Sequence, residues 1–453
     1  MVLAAGKGTR MKSALAKVLH RVAGVPMIEH VLDTAAALNP VSTTIVVGHQ
    51  AGDVRRALAA RPGLSFVVQE PQLGTAHALL TTESALGTAT GTLILLSGDV
   101  PLLTSSSLSS LVAKHAGSGA AATVLTAQVD APKGYGRIVR AADGRITRIV
   151  EEKDASEAER AIREINAGIY AFELTGLYDA VRTIAAENAQ REYYLPDLIA
   201  IYSKRGLAVE TVALDRPGEI QGINSRVELA EVSRAIREAT LLDLMAAGVT
   251  IEDPRTTYID RRVTIGADTI VRPGVSLLGT TRIGAGCEIH AGSRIVDSTI
   301  GDRVTVLDHC VMVDSVIRDG GTVGPFAHLR PGSDVGPAAK VGNFVELKKA
   351  VLGTGSKASH LAYLGDVTIG ENVNIGAGTI VCNYDGRSKQ KTTIEDGVFI
   401  GSDSQLIAPV TIGKGAYVGT GTTVRENVPP DALAVSAGKQ RNIDGWALKR
   451  KKT

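Results

Sequence analysis

An aliphatic residue recurs at every sixth position along much of the stretch from Val263 to Val424. Between these positions lie mostly Gly, Asp, Asn, Ser and Thr, which favour turns. A period of six is neither helical nor a simple strand alternation, but it fits a coil whose turns contain short strands. Stacked turns bury one continuous core, whereas a glycine-rich β-sandwich would need the spacing to arise by chance. We expect these side chains to point inward: Ile265, Val271, Leu277, Ile283, Ile289, Ile295, Ile369, Ile375, Val381, Ile394, Ile400, Leu406, Ile412, Val418 and Val424.

Composition narrows the class of protein. With 453 residues, the chain is expected to form two or more domains. Its net charge of +2 argues against a nucleic-acid-binding protein, which would carry a strong basic excess. The three cysteines have no CxxC or metal-site spacing, which indicates reduced thiols and a cytoplasmic protein. The sequence predicts neither a signal peptide nor a membrane-spanning segment.

The first residues, Met1–Ser13, run from an apolar strand end into a glycine-rich turn that precedes a predicted helix. Backbone N–H groups in such a turn, with Lys7, Arg10 and Lys17, make a cradle for phosphates. The loop matches neither the Walker A nor the GxGxxG pattern. An ordinary strand-to-helix turn is an equally good interpretation of the loop taken alone.

Strand and helix patterns alternate after this loop. We expect strands at 43–49, 64–69 and 92–99 and a helix at 51–60. This alternation is typical of a doubly wound α/β sheet, in which ligands lie beyond the C-terminal ends of the strands. Asp99 directly follows an apolar strand, so its carboxylate is a candidate ligand for Mg²⁺ that bridges nucleotide phosphates. The alternative is a helix-capping aspartate.

Seven segments occur in the order found in sugar-1-phosphate nucleotidyltransferases: LAAGKGTRMKS, QEPQLGTAHA, SGDVPLL, GYGRIVR, IVEEKDA, EINAGIYAF and QGINSR. With the repeat downstream, the whole chain resembles the bifunctional bacterial family of N-acetylglucosamine-1-phosphate uridyltransferase/glucosamine-1-phosphate acetyltransferases. The resemblance implies a Rossmann-like α/β nucleotidyltransferase domain at 1–224 and a linker helix at 225–248. It also implies an acetyltransferase domain at 249–453, a left-handed parallel β-helix of hexapeptide repeats with a basic C-terminal tail.

The resemblance further implies two reactions that together make UDP-N-acetylglucosamine, a precursor of the cell wall. The C-terminal site would acetylate the amine of glucosamine 1-phosphate from acetyl-CoA. The N-terminal site, with Mg²⁺, would then transfer a uridylyl group from UTP to the product and release pyrophosphate. Members of the family are homotrimers with acetyl-transfer sites shared between subunits, and we expect no nucleic-acid or membrane partner.

The residues of the uridyltransferase site follow from the same resemblance. UTP, its phosphates, its uracil and the sugar are implied to be held by Leu3, Ala4, Ala5, Gly6, Arg10, Lys17, Gln69, Gly74, Thr75, Ser97, Gly98, Asp99, Gly136, Glu151, Asn166 and Asn224. Asp99 and Asn224 are the implied metal ligands. Taken singly, Gly136 could be a turn glycine, Glu151 a surface charge and Asn224 a helix cap. We assign no general base to this site, because the reaction needs mainly positioning and charge neutralisation.

A long amphipathic helix is predicted at 225–248. Ser225 is a credible N-cap, with Glu228 at the spacing of a capping box, and Gly248 is a credible end. A helix is a stiff spacer, so we expect two separate active sites.

The repeat is interrupted in its middle part. Val345 and Val351 continue the inward positions, but the next two fall on Lys357 and Tyr363. The segment 382–391 interrupts the spacing again and predicts an extruded loop, which in coil repeats often marks the binding side. We therefore expect a reaction centre at a break in the coil. Charged residues cluster around that break, namely Arg330, Lys340, Glu346, Lys348, Lys349 and His360.

His360 is the candidate general base of this centre, because imidazole titrates near neutral pH and can accept a proton from an attacking amine. Glu346 is a weaker candidate for orienting the imidazole. From spacing alone, His360 could be a corner residue without chemistry, but the resemblance implies that it is the catalytic base.

The other residues of the acetyltransferase site are also implied by the resemblance. The acceptor sugar would be bound by Arg330, Lys348, Tyr363 and Asn374. Acetyl-CoA would be bound by Ala377, Asn383, Tyr384, Ser402 and Thr420. A family arginine that meets the coenzyme aligns with Ala437, and Lys439 and Arg441 are the candidates to replace it.

Two other functions are compatible with parts of the sequence. One is a nucleotidyltransferase whose coil only regulates or oligomerises, which does not require the cluster of Arg330, Lys348, His360 and Tyr363. The other is a structural scaffold, which the ordered motif segments disfavour.

Overall fold

The computed structural model describes residues 1–436, 438, 440–444 and 446–447. Ala437, Lys439 and the predicted basic tail at 448–453 lie outside the described residues. The chain divides into two compact units, Met1–Ile236 and Arg237–Thr453. This division falls inside one helix, Arg226–Ala246. Within the described residues, no helix has both the length and the apolar character needed to cross a membrane.

The first unit is built on a mixed sheet. Its central strand, Val2–Ala4, pairs in parallel with Thr43–Val47 and Thr92–Ser97. The long strand Glu164–Glu173 runs antiparallel to Thr92–Ser97, so the predicted sheet is not wholly parallel. In spatial order, the main path is Val209–Ala213, Ala122–Gln128, Glu164–Glu173, Thr92–Ser97, Val2–Ala4, Thr43–Val47 and Leu64–Val68. Beside this path lie the strands Arg137–Arg140 and Ile146–Val150, and a separate small hairpin pairs Arg21–Val22 with Val25–Pro26.

Helices cover both faces of this sheet. Neighbouring residues of one strand, such as Leu95 and Leu96, belong to two different buried clusters, because side chains alternate between faces. The result is the predicted Rossmann-like α/β architecture, and the strands expected at 43–49, 64–69 and 92–99 are present. The α-helices are Met27–Ala36, Ala51–Ala57, Thr75–Leu80, Glu83–Leu86, Ser105–Ser118, Glu157–Arg160, Leu177–Val181 and Asp197–Lys204, with 3-10 turns at Thr9–Met11, Lys17–Leu19 and Pro217–Ile220.

The helix Arg226–Ala246 begins and ends as the sequence predicts. The backbone N–H of Ser225 donates to the Glu228 carboxylate at 2.7 Å, and the Glu228 N–H donates to the Ser225 hydroxyl at 3.3 Å, which is a capping box. At the other end, Gly248 has a φ of +94° and donates to the carbonyl of Met245 at 3.1 Å. A left-handed glycine of this kind satisfies the last helical carbonyls and stops the helix.

The second unit is a coil with three faces, each a parallel sheet. The architecture is the stacked coil that the six-residue repeat predicts, and it is consistent with the left-handed β-helix implied by the resemblance. The first face contains Thr250–Ile251, Ile270–Val271, Glu288–Ile289, Thr305–Val306, Thr322–Val323, Lys340–Asn343, Lys357–His360, Asn374–Ile375, Phe399–Ile400, Tyr417–Val418 and Leu433–Ala434. The second contains Tyr258–Ile259, Ser276–Leu278, Arg294–Val296, Val311–Val313, His328–Leu329, Glu346–Lys348, Tyr363–Gly365, Ile380–Cys382, Gln405–Ile407 and Thr423–Val424. The third contains Thr264–Ile265, Arg282–Ile283, Thr299–Ile300, Ser315–Ile317, Ser333–Val335, Val351–Leu352, Val367–Ile369, Thr392–Ile394 and Thr411–Ile412.

The fifteen aliphatic side chains that the regular six-residue spacing places inside the coil are all buried there. The predicted break in the ladder is wrong, however. The inward positions continue as Val341, Leu347, Leu352, Ala358 and Leu364, all fully buried.

The wrong reading frame has a simple cause. In this part of the coil, two steps from the second to the third face, Leu347 to Leu352 and Leu364 to Ile369, span five residues instead of six. A count in sixes back from Ile369 is therefore one residue out of register. Accordingly, Val351 is 42% exposed, and Lys357 and Tyr363 lie on strands with their side chains outside the core. The charged residues therefore lie on the outside of an unbroken coil.

The predicted loop at 382–391 is present. It joins Ile380–Cys382 of the second face to Thr392–Ile394 of the third, and a bridge between Tyr384 and Lys389 closes it on itself. The insertion thus occupies a single corner of the coil.

Candidate active sites

A cavity of about 530 Å³ opens beyond the C-terminal ends of the central strands of the first unit. Most residues predicted for the uridyltransferase site line it, including the loop after the first strand and Asp99 after the strand Thr92–Ser97. Of the predicted residues, the lining contains Leu3, Ala4, Ala5, Gly6, Lys17, Gln69, Gly74, Thr75, Ser97 and Asp99. Lys7, Gly8, Thr9, Gln72 and Glu192 also contribute.

Six predicted residues are not in this lining, namely Arg10, Gly98, Gly136, Glu151, Asn166 and Asn224. Arg10 is exposed in the turn Thr9–Met11, and Gly98 is buried with its N–H donating to the carbonyl of Leu3 at 2.9 Å. A side chain at Gly98 would come within 2.9 Å of that carbonyl, so this glycine allows the Asp99 turn to approach the first strand.

Lys17 connects the two predicted metal ligands. Its ammonium donates to Asp99 Oδ2 at 2.5 Å and to Asn224 Oδ1 at 2.6 Å. A carboxylate and an amide oxygen that converge on one cation form the kind of oxygen set that Mg²⁺ prefers. Among the described residues there is no group of three or more His, Cys, Asp or Glu side chains that could hold a metal. Mg²⁺ fits such a sparse set, because it usually takes its remaining ligands from phosphates and water.

The segment predicted to read the uracil is fixed by hydrogen bonds. Gln69 donates its amide to the carbonyl of Gly74 at 2.8 Å. Gly74 has a φ of +111°, and a side chain there would lie 2.6 Å from the carbonyl of Tyr193. The hydroxyl of Thr75 accepts from the N–H of Leu195 at 3.1 Å. The segment is therefore held against the chain around residue 194.

The three residues predicted to hold the sugar are neighbours. A side chain at Gly136 would lie 3.2 Å from Glu151 Oε1 and 3.5 Å from the Cβ of Asn166. Burial raises the pKa of Glu151, and the carboxylates of Asp197 and Asp154 add to this effect. Asn166 donates its amide to the hydroxyl of Tyr170 at 2.7 Å.

Sequence analysis missed Tyr194. Its hydroxyl is buried without a hydrogen-bond partner, and burial, aided by nearby carboxylates that include Glu151, raises its pKa to about 12. The only signal in the sequence was its place in the EYYLPD segment.

In the coil, the predicted base and part of the predicted coenzyme site form one column. Each member is the second residue after an inward aliphatic side chain of the first face, in successive turns of the coil. We call this the base column, and from one end it consists of Asn343, His360, Ala377, Ser402 and Thr420. The column lies at the corner between the first and second faces.

His360 is oriented by Asn343 and not by Glu346. The two residues are paired in register, and His360 Nδ1 lies 2.5 Å from Asn343 Oδ1. Glu346 instead accepts from Arg330 at 2.9 Å. The expectation for Glu346 is therefore wrong, because a residue one turn away at the same corner is closer than one on the next face. The 17-residue spacing of His360 from Asn343 was the available signal.

The residues predicted to grip the sugar phosphate lie at the opposite edge of the second face. Arg330 and Lys348 both follow inward leucines there, and Lys348 pairs in register with Gly365. A side chain at Gly365 would lie 2.5 Å from the hydroxyl of Tyr363 and 2.9 Å from Asn383 Nδ2. Gly365 thus lets Tyr363 and Asn383 approach each other beside Lys348.

Lys389, in the loop at 382–391, is a further cation that sequence analysis did not single out. The Lys348 ammonium lowers the pKa of Lys389 by hydrogen bonding and by charge repulsion, while Asp366 opposes the shift. Two ammonium groups that face each other favour an anion between them.

The remaining predicted residues lie apart from these groups. Asn374 is on the first face, paired with Lys357 and Phe399. Tyr384 is exposed in the loop, where its hydroxyl donates to the carbonyl of Gly386 at 2.8 Å. Arg441 is exposed, and among the described residues it makes no hydrogen bond to the base column or to the residues around Lys348.

Comparisons with known proteins decide the family. The MobA-like NTP transferase domain matches residues 1–167, and the bacterial transferase hexapeptide (six repeats) matches residues 391–426. The Bifunctional protein GlmU of Trichlorobacter lovleyi is 52% identical over 100% of this chain and 98% of that protein. The chain belongs to the bifunctional GlmU family.

Other members of the family are similar over the same length. The Bifunctional protein GlmU of Geobacter metallireducens is 48% identical over 100% of this chain and 98% of its own, and that of Mycobacterium sp. strain KMS is 46% identical over 100% and 91%. As a GlmU protein, the chain is a transferase with uridyltransferase and acetyltransferase activities that serve the synthesis of UDP-N-acetylglucosamine. The nucleotidyltransferase domain comes first and the hexapeptide domain second, as the sequence predicted.

Proposed function

We propose that the cavity of the first unit binds UTP and N-acetylglucosamine 1-phosphate. In this proposal, residues 1–224 form the uridyltransferase domain, 225–248 the linker helix and 249–453 the acetyltransferase domain. The observation that carries the proposal is that a glycine-rich loop, Lys17 and Asp99 line one cavity, and that Lys17 also donates to Asn224. The nucleotide would contact Leu3, Ala4, Ala5, Gly6, Arg10, Lys17, Gln69, Gly74, Thr75, Ser97, Gly98 and Asp99, and the sugar Gly136, Glu151 and Asn166.

Uridylyl transfer at this site needs mainly positioning. An oxygen of the sugar phosphate attacks the α-phosphorus of UTP, and the bond to the β-phosphate oxygen breaks with its electron pair to release pyrophosphate. Backbone N–H groups of the loop and the ammonium of Lys17 neutralise the phosphates and hold the reacting atoms in line. Gln69 and Thr75 fix the base, so the α-phosphorus is presented in one orientation.

Asp99 and Asn224 would hold Mg²⁺ in this site. When bound, Mg²⁺ supplies positive charge that stabilises the phosphate oxygens during transfer. The side-chain oxygens of both residues already point at one cation, the Lys17 ammonium, and this is the observation that supports the metal assignment.

The base column is proposed to carry acetyl transfer from acetyl-CoA to glucosamine 1-phosphate. Because Asn343 Oδ1 is an acceptor, His360 Nδ1 carries the proton in the bond between them, and Nε2 keeps its lone pair. Nε2 accepts a proton from the sugar amine as the amine nitrogen bonds to the thioester carbonyl carbon. The C–S bond then breaks, and the coenzyme thiolate leaves and is protonated.

The two substrates are proposed to bind along opposite edges of the second face. We propose that Arg330, Lys348 and Tyr363 hold the acceptor sugar, with Asn374 also on the sugar. Lys389 is added here as a partner of Lys348 for the phosphate, because the two ammonium groups face each other. The coenzyme would lie along Ala377, Ser402 and Thr420, with Asn383 and Tyr384 as further contacts.

A homotrimer with shared acetyl-transfer sites is proposed for this chain. His360 and Lys348 lie at opposite edges of the second face, separated by five residue positions along the coil turn. Extended chain rises about 3.3 Å per residue, so the two edges of one copy lie farther apart than one small sugar phosphate can reach. A site built from one edge of each of two copies fits the substrate better. Mixing His360→Ala with Lys348→Met subunits tests this, because shared sites restore part of the activity in the mixed trimer. A monomer by light scattering, or no recovery after mixing, would count against it.

A cytoplasmic location is proposed because UTP and acetyl-CoA are supplied there. Cell fractionation with activity assays tests this, and activity confined to the periplasm or envelope would contradict it.

Separate assays on one purified preparation test the bifunctional assignment as a whole. Glucosamine 1-phosphate with acetyl-CoA should release thiol, and N-acetylglucosamine 1-phosphate with UTP and Mg²⁺ should release pyrophosphate. Pyrophosphate release without thiol release would instead support a coil that only regulates or oligomerises.

A further inference from the structure

The ammonium of Lys17 sits at the point on which both proposed metal ligands converge. It lies 2.5 Å from Asp99 Oδ2 and 2.6 Å from Asn224 Oδ1. The Lys17 and Asp99 side chains are only 12% and 24% exposed, so solvent screens their attraction weakly. A divalent cation bound to the same two oxygens would lie within a few ångströms of the ammonium and be repelled by it.

The stem of Lys17 lies against the phosphate-binding loop. Gly8 has a φ of +60°, and a side chain there would come within 2.7 Å of Lys17 Cβ and 3.3 Å of its Cγ. Lys17, Gly8 and Asp99 line the same cavity. Rotation about the outer bonds of the lysine side chain therefore swings its ammonium from the two oxygens toward the loop without moving the backbone.

We propose that Lys17 is a placeholder cation: without nucleotide it occupies the metal position and keeps Asp99 and Asn224 converged, and it leaves when a triphosphate arrives. The phosphates offer Lys17 a stronger anionic partner, and its departure frees both oxygens for the metal that enters with the nucleotide. This inference rests on the proposed function, in which Asp99 and Asn224 hold the metal. It makes Lys17 responsible for the order of binding, with little metal bound before UTP.

The competing interpretation is a fixed ion pair. If Lys17 stayed on Asp99 throughout the reaction, the metal would bind elsewhere in the cavity, and removal of the ammonium would not improve metal binding. If Lys17 is a placeholder, its removal leaves the Asp99 carboxylate unpaired in a poorly screened position and open to a cation.

The test is direct metal binding to the full chain without nucleotide. Mn²⁺ is titrated into the wild type, Lys17→Met and Lys17→Gln, and free Mn²⁺ is followed by electron paramagnetic resonance. Both variants should bind Mn²⁺ at least about tenfold more tightly than the wild type, which corresponds to about 1.4 kcal/mol. Addition of UTP should remove this advantage, because the variants lack the ammonium that pairs with the phosphates.

Controls separate this inference from the metal assignment itself. Lys204→Met removes an equal charge from an exposed helix end and should leave Mn²⁺ binding unchanged. Asn224→Ala added to Lys17→Met should abolish the gain. Equal or weaker Mn²⁺ binding by both folded Lys17 variants would overturn the placeholder role. If the wild type does not bind Mn²⁺ even in the presence of UTP, the proposed metal site itself is contradicted.

Discussion

The side-chain oxygen of Asn343 lies 2.5 Å from Nδ1 of His360, in the adjacent turn of the same corner. Since the amide oxygen can only accept, this contact selects the imidazole tautomer whose Nε2 is basic. Asn343 is thus a positioning residue for the proposed base.

Replacement of Asn343 tests this role. Asn343→Ala should lower kcat for acetyl transfer by about tenfold or more, as part of the 10²–10⁴ contributed by a general base. Asn343→Asp should preserve activity but move the acidic limb of the pH profile upward, because a carboxylate stabilises the charged imidazole. Thiol release measured across pH checks both outcomes. An unshifted profile for Asn343→Asp would argue that the contact is only structural.

Loss of His360 should separate the two activities. We expect His360→Ala to abolish thiol release from acetyl-CoA while pyrophosphate release from UTP and N-acetylglucosamine 1-phosphate stays at the wild-type rate. Both assays are run on one preparation, with circular dichroism as the folding control. Equal loss of both activities would count against separate sites.

The corrected frame of the coil predicts contrasting stability effects at two adjacent residues. Leu352 is fully buried, whereas Val351 is 42% exposed. Leu352→Ala should lower the free energy of unfolding by about 2–5 kcal/mol, because a cavity replaces the side chain. Val351→Ala should change it by less than about 1 kcal/mol. Denaturant titration of both variants decides between the frames, and a larger loss at Val351 would restore the uniform six-residue count.

Burial of Glu151 predicts a pH-dependent effect on stability. Its pKa is raised in the folded protein, so the group favours folding below its unfolded pKa, and that contribution is lost as the pH rises through the folded pKa. Glu151→Gln should therefore raise Tm at pH 7 relative to the wild type, and the difference should shrink at pH values below the unfolded pKa. The same variant should bind the sugar less well. A Tm difference that is independent of pH would contradict the raised pKa.

Much of the fold follows from the sequence for physical reasons. The aliphatic period predicts which side chains enter the coil, since apolar residues pack in the stacked turns and turn-forming residues occupy the corners. Ser225, Glu228 and Gly248 predict the ends of the helix Arg226–Ala246, because capping is local in sequence.

The missed features depend on contacts between distant parts of the chain. Shortened corners between the second and third faces moved the reading frame, so Val351 was placed inside and Leu352 was not considered. Asn343, Tyr194 and Lys389 carry no motif, and only the register of neighbouring turns or the fold of a loop brings them to their partners. Lys17 was expected to touch phosphates, but its contact with Asp99 and Asn224 could not be read from residues so far apart.

The length of the base column also sets how long an acyl donor it can contact. Neighbouring strands of a sheet are spaced by about 4.8 Å, so its five rungs from Asn343 to Thr420 span roughly 19 Å. If acetyl-CoA binds along this column as proposed, this long, flexible thioester would contact several rungs with its reactive carbon at the His360 end, while a truncated acyl donor would contact only one or two. Gain or loss of one whole coil in evolution would alter the accepted donor length by a single rung and leave the interior packing intact.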